Sequence, residues 1–253
     1  WLRLTVRGKP GHSSLPSRDH AVSRLARGIA AITEAHLPWH PSEEARRFLT
    51  AFAKPRGILA ERIAALLANP ILGPYLLPLL VRDPSRRTSI EAILRNTATP
   101  TSLGSGGAVN VLPGKASVDI DGRLAPGQST ADLVAELDRV LRPILGNHFE
   151  LSVLQESPPI SFSMDTPLFR EIGRTLAEAD PEGHLVPAIL PGFTDSRNWG
   201  RLGAHCYGFY PLQLPEELDF AALFHGDNER IPVAGFHWGI AVLARMLSRF
   251  LVS

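Results

Sequence analysis

A single cysteine, Cys206, stands in 253 residues, which excludes an internal disulfide framework and any cysteine-rich zinc site. Its plainest reading is a small, buried apolar residue beside Ala204, Tyr207 and Phe209. An excess of one charge is also missing. The chain has 26 Lys and Arg against 25 Asp and Glu, a net charge of +1, and its arginines are scattered, so no nucleic-acid partner is expected. Long apolar runs are lacking too: the longest, 71–81, is too short to span a bilayer and is broken by Gly73, Pro74 and Pro78. No membrane partner is expected either. No leader peptide is visible, but Trp1 already sits in a strand-like run, so the chain is expected to start inside a longer protein and the missing leader proves nothing; a cytoplasmic location is the separate expectation.

What is present is the composition of a folded chain, 44% hydrophobic and 20% charged, long enough for one large or two modest domains. Residues 1–7 alternate apolar and polar as a half-buried strand does. A helix is expected over 20–34, with Asp19 as its cap and Val22, Leu25, Ala26, Ile29 and Ile32 on one face. Three short helical patterns follow at 42–53, 58–68 and 71–81, separated by Pro55, Gly57, Asn69 and Pro70, and they look like an insertion spanning about 36–88. Glu43 and Glu44 suit a solvated first turn, where carboxylates favour the positive helix end. His36 and His40 are expected to be loop residues.

Extended segments are expected at 89–99, 101–112 and 115–124, then a helix over 130–141 capped by Ser129, and a strand over 149–154. Without the insertion, this order is β-α-β-β-α-β, an antiparallel sheet with two helices on one face. Pro158 and Pro159 stiffen a connector. Beyond it come a helix at 167–180, strands near 185–190 and 204–209, a turn over 191–197 and a helix over 233–251. That alternation suits part of a parallel α/β layer. The expected fold is therefore mixed α/β and α+β, with a ferredoxin-like unit over 1–155 and part of an α/β domain over 156–253.

Four separated motifs carry the candidate chemistry. They are Gly11-His12-Ser13-Ser14-Leu15-Pro16; Asn110-Val111-Leu112-Pro113 with Arg123 ahead of Pro126-Gly127; Pro191-Gly192-Phe193-Thr194-Asp195-Ser196-Arg197; and the loop His225-Gly226-Asp227-Asn228-Glu229-Arg230. By itself His225 is a soft nitrogen donor in a polar loop, where solvation is the commoner state and imidazole suits several metals. In this order the four motifs resemble the dinuclear zinc aminoacylase and carboxypeptidase family, which includes carboxypeptidase S, aminoacylase and succinyl-diaminopimelate desuccinylase. The long insertion resembles most the carboxypeptidase S-like members.

The resemblance implies a lid domain of β-α-β-β-α-β type through which two subunits pair, and a catalytic α/β domain holding two zinc ions per active site. It implies that His225 is one zinc ligand, and that His12 reaches into the partner subunit's site to donate a hydrogen bond to the oxyanion of a tetrahedral intermediate. Asn110 and Arg123 match positions that hold substrate, Gly192 and Thr194 match a turn whose backbone and hydroxyl touch it, and Arg197 either reaches a substrate carboxylate or fixes the turn through Asp195. The bland alternatives are a turn histidine satisfied by Ser13 or Ser14, and a surface pair of Arg123 with Asp121. Two departures stand out. Phe193 occupies a place where the family usually has a glycine. The family's His-x-Asp pair, Glu-Glu pair and further acidic ligand ahead of the lid have no counterpart, since Glu43-Glu44 and Glu216-Glu217 have the wrong surroundings.

One histidine cannot hold zinc, because a catalytic site takes about three protein ligands. The expectation is the C-terminal part of a hydrolase that cleaves an amide next to a free carboxylate, in an N-acyl amino acid or a peptide C-terminus, with the isolated chain inactive and poorly stable. The alternative of another class is a non-catalytic dimerisation or binding module.

Overall fold

Leu2, Leu4 and Val6 lie on one side of the first strand and are buried, whereas Arg3 and Arg7 turn outward, as a period of two requires. The structure, a computed structural model, describes every residue except Pro16, Pro191, Glu216, Asp219, Ala221, Ala222 and Ser253. Three motif positions named above, Pro16, Pro191 and Glu216, thus lie outside the described residues. Strands β1 (Leu2–Arg7), β3 (Thr97–Gly104), β5 (Lys115–Arg123) and β6 (Phe149–Val153) form one sheet in the order β3-β5-β1-β6. Every neighbouring pair is antiparallel. Helices α1 (Ala21–Glu34) and α6 (Thr130–Leu145) cover one face, where Leu25, Ile32, Leu133, Leu137 and Leu141 meet Leu4, Val118 and Ile120. Each such side chain contributes about 1.5–3 kcal/mol on burial.

Helix α6 starts where expected, in a capping box in which Ser129 and Asp132 each satisfy the other's backbone N–H, and it runs past 141 to end at Gly146 with φ 59°. Helix α1 departs from expectation at its cap. His20 Nδ1 accepts from Ser23 N at 3.4 Å, and Asp19 is drawn instead into a two-pronged pair with Arg24 at 2.5 and 2.6 Å. A guanidinium fork competes well for a carboxylate that could otherwise cap.

Between α1 and β3 lies the helical insertion: α2 (Glu43–Ala53), α3 (Ile58–Leu67), α4 (Gly73–Leu80) and α5 (Pro84–Leu94). It has a core of its own, built from Trp39, Leu49, Leu67, Leu77 and Leu94 among others. Helix α5 corrects the extended reading of 89–99 as far as Leu94, and β3 bears it out from Thr97. Asp83 accepts from Arg86 N at 2.8 Å and Pro84 occupies the first turn, a start signal that the apolar pattern alone did not carry. Glu43 and Glu44 do open α2, as expected.

After β6 the chain holds α7 (Pro167–Ala179), α8 (Ser196–Arg201) and α9 (Val233–Val252). Helices α7 and α9 pack through Ile172, Thr175, Val242 and Met246, and Arg249 Nη1 bridges to Glu178 Oε2 at 2.8 Å. Residues 211–213 cross α9 at Gly235 and Gly239, where an added Cβ would lie 1.9 Å from Gln213 O and 1.7 Å from Pro211 O. The strands expected at 185–190 and 204–209 do not form, because neither segment has a ladder partner among the described residues. A pattern cannot make a strand unless a neighbour takes its backbone hydrogen bonds.

Candidate functional site

The β1–β5 ladder does not stop at its Arg7–Lys115 end. Gly8 N donates to Gly114 O at 3.0 Å, and the two chains pair again as β2 (Gly11–His12) and β4 (Val111–Leu112), with His12 opposite Val111. Ser13 N then donates to Asn110 O at 3.0 Å. Two of the four motifs, nearly a hundred residues apart, are thereby fixed side by side on an exposed ribbon.

The His12 ring is held on its Nδ1 side by Ser14. Its Nδ1 accepts from Ser14 N at 3.2 Å and lies 2.7 Å from Ser14 Oγ. With Nδ1 occupied as an acceptor, the neutral ring carries its proton on Nε2. The exposed ring can then donate a hydrogen bond outward. The bland alternative is what the contacts show: Ser14 satisfies the histidine on one side of the ring.

Arg123 lies at the other end of β5, opposite Thr97. Nine residues of strand cover about 26 Å at about 3.3 Å per step, and the His12 ribbon begins beyond the far end. The structure therefore separates Arg123 from His12 and Asn110. Arg123 Nη2 donates to Asp121 Oδ2 at 2.7 Å, the pair anticipated as its bland reading, while Asp121 Oδ1 is buried without a partner among the described residues. One Arg123 donor is used there, which leaves other guanidinium N–H groups for a ligand. On the same open face of the sheet, Arg3 grips Asp119 at 2.6 and 3.0 Å and holds its carboxyl below the usual range.

The third motif is a turn only as far as Asp195, where α8 begins. Thr194 Oγ1 accepts from Ser196 N at 3.3 Å, and Gly192 is exposed. The Arg197 guanidinium lies 3.5 Å from the centre of the Phe193 ring, with its Nε buried and unpaired among the described residues. Phe193 thus carries the arginine rather than merely occupying space. Arg197 also lines a cavity of about 110 Å³ with Pro158, Pro159, Ile160 and Arg201.

His225 is exposed and sits at φ 57°, and Asn228 at φ 62°. Two non-glycine residues in the left-handed region within four positions mark a sharply turned loop. Its ring has no hydrogen-bond partner among the described residues, and Arg230 Nη1 closes the loop onto Asn228 O at 3.1 Å. Among the described residues no three His, Cys, Asp or Glu side chains stand together as a metal site. One imidazole does not fit a catalytic zinc by itself.

Residues 1–148 match the model of the M20 peptidase dimerisation domain. The chain is 28% identical over 235 residues to "Probable carboxypeptidase S-like 2" of Dictyostelium discoideum, covering 93% of this chain and 43% of the relative. It is 30% identical over 238 residues to the N-fatty-acyl-amino acid synthase/hydrolase PM20D1 of Xenopus tropicalis, covering 91% and 43%. It is 26% identical over 250 residues to aminoacylase-1A of Rattus norvegicus, covering 98% and 50%. The chain thus spans about half the length of the curated relatives it matches. Among solved structures, the dipeptidase Dug1p of Saccharomyces cerevisiae superposes with a TM-score of 0.59 at 13% identity, over 100% of this chain and 54% of that one. A tripeptidase of Staphylococcus aureus gives 0.52 at 14%, over 97% and 49%. At those identities the likeness is one of fold.

Proposed function

Since this chain belongs to the M20 peptidase family, through the match of residues 1–148 to its dimerisation domain, we propose that it is the lid-bearing part of a hydrolase that cleaves an amide next to a free carboxylate. The proposed substrates are N-acyl amino acids or peptide C-termini. The observation that carries this reading is the β2–β4 ribbon, which holds His12, its Nδ1 side turned to Ser14, beside Asn110. A donor fixed in advance at the point where an oxyanion develops can contribute about 3 kcal/mol to the barrier.

The residues divide the work by their place on the sheet. His12 and Asn110 act at one end of β5 and Arg123 at the other, too far apart to grip one small substrate within a single copy. Pairing of two copies through the lid, proposed as 1–155 with the remainder in the catalytic domain, lets each substrate receive a ribbon from one copy and an arginine from the other. The Arg123 fork then takes the substrate carboxylate, as planar two-pronged donors do. Gly192, Thr194 and Arg197 are proposed to line the same substrate, with Phe193 setting the height of the arginine.

His225 is proposed as one zinc ligand. Its fellow ligands and the general base, for a site of two zinc ions, would come from protein outside this chain, and the relatives' greater length leaves room for them. On this reading the chain alone is inactive. The test is hydrolysis of N-acyl amino acids and dipeptides, with free and amidated carboxyl ends, by the longest natural form. Turnover that requires the free carboxylate supports the reading. A protein that pairs but turns over none of these would instead be a non-catalytic dimerisation module.

A further inference from the structure

The helical insertion keeps its core inside and a second apolar surface outside. Its core uses the inner sides of α3 and α4, including Ala64, Leu67 and Leu77. On the opposite sides, Leu59 and Leu66 of α3 and Tyr75 and Leu79 of α4 are exposed, and Ile71 and Leu72 extend the surface through the connecting turn. Tyr75 and Leu79 are 75% and 74% exposed and one helical turn apart. Apolar side chains grouped in this way on a folded chain mark a contact surface.

Charge decides what kind of contact. Over 52–87 the chain carries Lys54, Arg56, Arg62, Arg82, Arg86 and Arg87 against only Glu61 and Asp83, in a protein whose net charge is +1. Asp83 is committed as the cap of α5. Lys54, Arg56, Arg62, Arg82 and Arg86 are exposed, and Arg62 stands between Leu59 and Leu66 on the outer side of α3. Outward leucines and a tyrosine, with Arg62 among them and further exposed basic residues flanking α3 and α4 in sequence, are what a helix lying in the headgroup region of an anionic bilayer presents.

We propose that the α3–α4 face of the insertion docks on an anionic lipid surface. The helices lie on the surface and do not cross it: among the described residues no helix is long and apolar enough to span a membrane. The absence of a span, which led the sequence to be read as having no membrane partner, does not bear on this mode of contact. The proposal stands on the insertion alone and is independent of the catalytic reading.

The test is co-sedimentation of the longest natural form with phosphatidylcholine vesicles, with and without phosphatidylserine, at low and high salt. Binding is expected to require phosphatidylserine and to fall with salt. Arg62→Ala and Arg82→Ala should each weaken it about fivefold. The double variant Tyr75→Asp/Leu79→Asp should lose it by at least about tenfold. Both positions are exposed, so the thermal melt should be unchanged. The proposal is overturned by no pelleting with either vesicle, by pelleting that the double variant retains, or by an outer face that alters only the oligomeric state.

Discussion

His40 Nε2 lies 2.5 Å from Glu136 Oε1 and ties the start of the helical insertion to the middle of α6. Glu136 is 3% exposed, and its other oxygen accepts from Asn96 Nδ2 at 3.0 Å, where the chain leaves the insertion for β3. Asn96 Oδ1 in turn accepts from Ala125 N at 3.0 Å. Both ends of the insertion are thereby fastened to one carboxylate. Glu136→Leu takes away the partner of His40 and leaves the Asn96 amide only a long contact with Gln128 Oε1 at 3.5 Å, and is expected to cost about 2–3 kcal/mol, less than a fully buried pair because His40 is partly exposed. A urea melt of the variant against the parent measures it.

Gly239 is the place where the crossing of 211–213 over α9 can be tested. Gly239→Ala puts a methyl where Pro211 O now sits, so the segment must lift. Destabilisation of about 1–3 kcal/mol is expected, read as a fall in the melting temperature. The same substitution at Gly57, which has open space around it but φ 97°, tests backbone strain without a clash.

The Arg3–Asp119 pair sets a pH dependence. The folded-state pKa of Asp119 is lowered, first by the hydrogen bonds from Arg3 and also by its charge, against an opposing desolvation. A lowered carboxylate pKa stabilises the fold above the unfolded-state value, and that contribution is lost as the pH falls through the folded one. Carboxyl NMR titration should place Asp119 below the usual range in the parent and return it toward that range in Arg3→Ala. An unchanged midpoint would show that the pair is not formed in solution.

Phe193→Ala removes the ring beneath Arg197. At this half-exposed site the loss in stability is expected to be small, about 0.5–1 kcal/mol. If Arg197 reaches substrate, the KM for an N-acyl amino acid should change far more than the melting temperature does. Equal, small changes in both would leave the stack a structural contact.

The sheet unit was legible because its signals are local. Alternation in β1 and β5, the Ser129 cap and the apolar stripe of α6 each agree with the fold they belong to. The insertion's last helix was not, because Asp83-Pro84 announces a start that a search for apolar period passes over. The strands at 185–190 and 204–209 failed for another reason, since a strand needs a neighbour that its own residues cannot supply. Of the candidate site, the motifs could be picked out by type. That His12 and Asn110 would meet on a ribbon while Arg123 stood a strand's length away depends on the register of β1 against β5, which residue types alone do not encode. His40 does lie in a loop, as expected, but its contact with Glu136, ninety-six positions away, is not a local signal.

The most direct measurement compares His12→Ala and His225→Ala with the parent in the longest natural form, reading zinc content together with hydrolysis of an N-acyl amino acid. His12→Ala is expected to keep its zinc and lose about 10²–10³-fold in kcat, and His225→Ala to lose zinc and turnover together. Full turnover with zinc retained in both variants would contradict the roles assigned to the two histidines.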